Sequence, residues 1–139
     1  MDSGGGQLQT PQAPTSHITG KKVLIVEDDF YIRDLYSMTA KEEGFIVTEA
    51  SNGEEALFEL RSDAPDIILL DIMLPDMNGM TILKTVKETE ELKHIPVIIV
   101  TNLDESAKEQ EAMSLGAAEY LTKIRVTPIQ VIDTAKKYC

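Results

Sequence analysis

The sequence predicts an α/β fold in which five β-strands alternate with five helices. Three observations carry that expectation. Val23–Val26, Ile67–Leu70 and Val97–Val100 are short runs that are apolar throughout, without the polar alternation of a half-exposed strand. Between such runs, apolar residues recur at three- and four-residue spacing, as on one face of a helix. Glycines, prolines and capping residues punctuate the joins.

The elements follow in order. After the strand Val23–Val26, a helix carries Ile32, Leu35, Tyr36, Thr39 and Ala40 at helical spacing and ends at Gly44. Phe45–Ala50 is a strand of mixed polarity. Asn52 caps the next helix, with Glu55 three residues on as its capping-box partner. Ile67–Leu70 is the third strand, followed by a loop from Pro75 to Gly79 and a helix bearing Ile82, Leu83 and Val86. Pro96 leads into Val97–Val100. A helix is expected from about Asp104 to Leu115, closed by Gly116. Ala118–Thr122 is a short strand. Thr127, Pro128 and Gln130 then set out a cap, an N1 proline and an N3 glutamine, opening a last helix that carries Ile129, Ile132, Ala135 and Lys136.

Strands that alternate with helices pair in parallel, with helices on both faces of the sheet. The three wholly apolar runs belong in its centre. The more polar strands at 45–50 and 118–122 belong at its edges. The result is a doubly wound, flavodoxin-like (βα)5 sheet of order 2-1-3-4-5. Its site is expected outside the carboxyl ends of the strands, where strands 1 and 3 diverge.

Composition narrows the function. The chain has 139 residues, 42% of them hydrophobic, and 24 acidic against 13 basic residues give a net charge of −11. That balance argues against nucleic acid and against anionic membrane surfaces as partners. No apolar run is long enough to span a bilayer and residues 1–20 have no signal-peptide core, so a cytoplasmic domain is expected. The single cysteine, Cys139, excludes an internal disulfide. Residues 1–20, rich in Gly, Gln, Pro, Ser and Thr, are expected to be a flexible tail, with 21–139 forming one domain. His17 in that tail and the isolated His94 have no visible metal partner at ligand spacing.

The carboxyl ends of the strands deliver Glu27, Asp28 and Asp29, then Asp71, then Thr101 and Asn102, then Lys123. Any one of these reads as a cap or a solvated charge. The set does not, because the strands bring matching chemistry to one edge. Clustered carboxylates repel unless a cation sits among them. Oxygen ligands without His or Cys select a hard cation, Mg²⁺ foremost. A carboxylate beside Mg²⁺ can attack phosphorus to form an aspartyl phosphate, with Thr101 and Lys123 placed to bind phosphoryl oxygens.

On these segments the chain resembles the response-regulator receiver domains of two-component signalling. The matching stretches are Val23–Asp29, Asp66–Gly79, Pro96–Thr101 and Gly116–Lys123, and the resemblance covers about residues 21–137. The resemblance implies that Asp71 is the phosphoacceptor. Asp28, Asp71 and the backbone carbonyl of Met73 would bind Mg²⁺, with Glu27 in support. Thr101 and Tyr120 would be a switch pair and Lys123 the phosphate-sensing ammonium. It further implies a histidine kinase or histidine phosphotransfer protein as donor, an unnamed downstream protein as target, and a signalling switch rather than a turnover enzyme. The reading face would be the fourth helix, fifth strand and fifth helix. Two positions depart from the family pattern. Ile124 stands where a cis proline usually follows the lysine, so a trans peptide is expected. Asn102 stands where a small residue is usual.

Other readings fit less well. A haloacid-dehalogenase-type phosphatase needs an acid two residues after its nucleophile, and Met73 stands there. A calcium loop centred on Gly79 would need ligands at Leu74 and Thr85, which cannot serve. A receiver-like module that binds partners without phosphorylation would not need the intact acidic set. Met73, Met77 and Met80 are expected to be packing residues.

Overall fold

The computed structural model describes residues 19–139; His17 and the stretch read as a tail, up to residue 18, lie outside them. Five strands form one sheet: β1 (Lys22–Val26), β2 (Ile46–Ala50), β3 (Ile67–Leu70), β4 (Val97–Thr101) and β5 (Glu119–Thr122). All pairings are parallel and the spatial order is β2-β1-β3-β4-β5, as expected from the apolar runs. The helices are α1 (Phe30–Glu42), α2 (Gly53–Ser62), α3 (Gly79–Glu88), α4 (Ser106–Ser114) and α5 (Pro128–Lys136). A 3₁₀ turn, Lys123–Arg125, joins β5 to α5, and no cis peptide bond is found among the described residues.

The sheet splits the core into two layers because successive strand side chains face opposite ways. Leu24, Val26, Ile68, Leu70, Val97 and Ile99 pack toward α2 and α3. Val23, Ile25, Ile67, Leu69, Ile98 and Val100 pack toward α1 and α5. Side chains of β3 and β4 are buried on both faces, whereas β2 is largely exposed.

Several local expectations shift. In α1 the buried residues are Tyr36, Ser37 and Ala40, while Leu35 is 48% exposed. In α5 the inner residues are Val131, Ile132 and Ala135; Ile129, in the first turn, points outward. Lys136 instead reaches Glu43 at the end of α1, 2.6 Å away. The capping box at Thr127 and Gln130 is complete. At α2 it is not: Asn52 accepts from the Glu55 amide as expected, but the Glu55 carboxylate turns to the amide and hydroxyl of Ser51. The fourth helix starts at Ser106, two residues after the expected Asp104, with Glu105 at the cap position; the Asp104 carboxylate is held by Arg125 at 2.6 Å.

Candidate functional site

The sheet ladder itself places the acids. The amide of Glu27 donates to the Ala50 carbonyl and that of Asp71 to the Val26 carbonyl. Strand pairing thus runs one residue past β1 and β3, holding both carboxylates on a fixed backbone. Lys123 enters from the end of β5, its Nζ 2.6 Å from Glu27 Oε1 and 2.7 Å from Asp71 Oδ2. Glu27 and Asp71 are buried. The remaining oxygens are also engaged: Glu27 Oε2 accepts from the Asp29 amide and Asp71 Oδ1 from the Met73 amide.

This is the arrangement that like charges require. The Lys123 ammonium sits between two carboxylates that would otherwise repel. Burial raises the Glu27 carboxyl above the usual range, although Lys123 and the Asp29 amide pull the other way. Burial likewise opposes the charge on Lys123, but its bonds to Asp71 and Glu27 win and hold the ammonium above its ordinary value.

Asp28 is exposed at the mouth of the pocket. One oxygen each from Glu27, Asp28 and Asp71 lie within 4.8 Å of one another. This oxygen-only, carboxylate-rich donor set fits a hard divalent cation that retains several waters. Met73 and Asn102 line the same pocket. Met73 is 56% exposed there, so it is a rim residue and not the packing residue expected; Met77 and Met80 are the ones that pack. Asp29 stays outside the set, because its carboxylate caps α1 through the amides of Tyr31 and Ile32.

The β3–α3 connection must pass close to Asp71. A Cβ on Gly79 would lie 2.3 Å from the Asp71 carbonyl oxygen, so only glycine lets α3 start here. On the other side, Thr101 is fully buried and its hydroxyl accepts from the Leu103 amide at 3.3 Å. The hydroxyl of Tyr120 donates to the Leu103 carbonyl. The two residues expected to act together therefore hold opposite ends of one residue in the β4–α4 loop. Burial raises the Tyr120 phenol, reinforced by the nearby acids Glu109, Asp104 and Glu105.

Sequence reasoning missed Arg33. Its Nη1 donates to the Glu27 carbonyl at 2.8 Å and its Nε to Glu49 at 3.0 Å, tying α1 to the strand ends beneath the pocket. The available signal was a lone arginine in the first turn of the helix that follows an acidic strand end.

The comparisons agree with this geometry. The family model described as "Response regulator receiver domain" matches residues 23–134. The chain belongs to that family. Among curated relatives of this receiver domain, the polar-differentiation response regulator DivK of Brucella anthropi is 36% identical over 118 residues, covering 85% of this chain and 95% of the relative. Among solved structures, the chemotaxis response regulator CheY4 of Vibrio cholerae superposes with a TM-score of 0.80 at 30% identity, over 87% of this chain and all of that one. The Mn²⁺-bound form of response regulator Rcp1 gives 0.76 at 25% identity, over 84% and 92% of the two chains. Receiver domains are signalling domains of two-component systems and bind Mg²⁺ at an acidic pocket. In this receiver domain no helix among the described residues is long and apolar enough to cross a membrane.

Proposed function

We propose that this domain is a cytoplasmic phosphorylation switch that accepts a phosphoryl group on Asp71 from a histidine kinase or histidine phosphotransfer protein. The observation that carries the reading is the buried triad of Glu27, Asp71 and Lys123, with Asp28 at its mouth. An Asp71 carboxylate oxygen attacks the phosphorus of a phosphohistidine. The P–N bond breaks as the O–P bond forms, and the imidazole keeps the electron pair. Mg²⁺ held by Asp28, Asp71 and the Met73 carbonyl, with Glu27 in support, would neutralise charge building on the transferred oxygens. That response regulator Rcp1 has an Mn²⁺-bound form supports a divalent ion as a ligand here.

Lys123 then binds one phosphoryl oxygen. The Thr101 hydroxyl turns to donate to another, releasing the Leu103 amide it now holds. Tyr120, bonded to the Leu103 carbonyl, carries the displacement to the surface of α4, β5 and α5, where a downstream protein reads it. The domain is reset by hydrolysis and acts as a switch, not as a turnover enzyme. Asp71→Asn is expected to abolish label incorporation from both acetyl phosphate and a phosphohistidine donor in the presence of Mg²⁺. Undiminished label in that variant would overturn the assignment.

A further inference from the structure

The loop that follows the acceptor is anchored at two places. Its base is closed by the Gly79 amide on the Ile72 carbonyl at 2.7 Å and by an antiparallel bridge between Met73 and Asn78. Its tip leans on the start of α2. There the Asp76 carboxylate accepts from the amides of Gly53 at 2.8 Å and Glu54 at 2.9 Å. The Met77 side chain lies over Gly53, where a Cβ would come 2.4 Å from Met77 Cγ. Helix α2 already has a cap of its own, Asn52 on the Glu55 amide at 2.8 Å. Asp76 therefore satisfies the two amides that the local cap leaves free, and it does so from a distant loop. Those amides also hold its carboxyl below the usual range.

The same loop carries Met73, whose amide donates to Asp71 Oδ1 at 3.0 Å and which lines the acid pocket. A continuous set of bonds thus runs from the α2 amides through Asp76 and the loop to Met73 and the acceptor. We propose that Asp76 is a positioning residue: by gripping the N-terminus of α2 it holds the β3–α3 loop so that the Met73 backbone stays at the pocket. The proposal rests on reading Asp71, Asp28 and the Met73 carbonyl as the divalent-cation site. Asp76 touches neither the ion nor the phosphoryl group, and acts through the loop.

The test separates this role from helix capping. Asp76→Ala and Asn52→Ala each strip a cap from α2, so both are expected to lower the melting temperature. Only Asp76→Ala is expected to weaken Mg²⁺ binding in a calorimetric titration, by about tenfold, as loss of outer-shell support does at other metal sites. Asp76→Asn keeps an oxygen for one amide and falls between, and it carries the test should Asp76→Ala not fold. Wild-type Mg²⁺ affinity in the folded Asp76 variants overturns the proposal, as does an equal loss of affinity in Asn52→Ala. If the wild-type chain takes up no Mg²⁺, the metal reading itself falls and the positioning role with it.

Discussion

The segments that lead into α3 and α4 form two rims of the acid pocket, through Met73 and Asn102, and the two helices are built differently. In α3, Gly79, Met80, Ile82, Leu83 and Val86 are buried, and the Asn78 side chain caps the first turn. In α4 only Ala112 is buried, and Glu105 at the cap position makes no side-chain bond. The segment before α3 carries Asp71, the acceptor we propose, on a backbone tied to Val26 by strand pairing. The segment before α4 carries Leu103, gripped by Thr101 and Tyr120 through one hydrogen bond each. Elements that move in a switch come from the weakly packed part of a fold. Under the function we propose, this difference puts the chemistry on the rigid rim and the signalling on the loose one.

The largest effect expected from that difference is in stability. Leu83→Ala empties a fully buried site in α3 and is expected to cost about 2–5 kcal/mol. Met113→Ala in α4 removes a side chain that is 44% exposed and is expected to change stability by no more than about 0.5 kcal/mol. Urea unfolding of both variants measures the gap. Equal losses would mean that α4 is as firmly docked as α3, and the division into two rims would fail.

Much of this was legible in the sequence because burial on both faces leaves a pattern. The strands at Val23, Ile67 and Val97 could only be central, and the order of the sheet followed from them. The acids of the pocket were legible because the parallel sheet puts strand ends on one edge. Helix faces were less so. Leu35 and Ile129 obey helical spacing yet lie outside the buried stripe, since the stripe's centre depends on how each helix rolls against the sheet. Side chains that bond across elements left no local trace. Asp104 stands at the expected helix start but is taken by Arg125, and nothing near Asp76 announces a helix start in α2. Competition between partners distant in sequence decides these, and periodicity does not record it.

A smaller effect contrasts a deep tyrosine with one at the rim. Tyr36, 6% exposed in the layer under α1, has its phenol pushed up to about 12 by burial, against an ordinary value of 10.0. Between those values the folded chain keeps a proton that the unfolded chain has lost. Stability attributable to this group is thus fully present below pH 10 and declines as pH rises through about 12. The shift corresponds to about 2–3 kcal/mol at its upper limit. Tyr36→Phe is expected to flatten that part of the decline when unfolding is followed at successive alkaline pH values against wild type. An identical alkaline slope in both proteins would show that Tyr36 is not shielded as its burial implies.

The smallest effect bears most directly on signalling. Tyr120→Phe removes the hydroxyl that donates to the Leu103 carbonyl and keeps the ring against the core. A single neutral hydrogen bond at a half-buried position is expected to cost about 0.5–1.5 kcal/mol. The pocket is untouched, so Asp71 is expected to take label at the wild-type rate. What changes is the link between Thr101 and the surface. On the mechanism we propose, a Thr101 hydroxyl drawn toward the phosphoryl group frees one end of Leu103 while Tyr120 holds the other, so the loop turns about that second bond. Without the phenol there is no such pivot, and α4 is no longer biased by the state of the pocket. Amide chemical shifts for residues 103–114, compared between free and phosphorylated forms, read this out. The wild-type change should shrink in Tyr120→Phe; a change of the same size would mean that the loose rim responds through packing alone, with no part for the bond to Leu103.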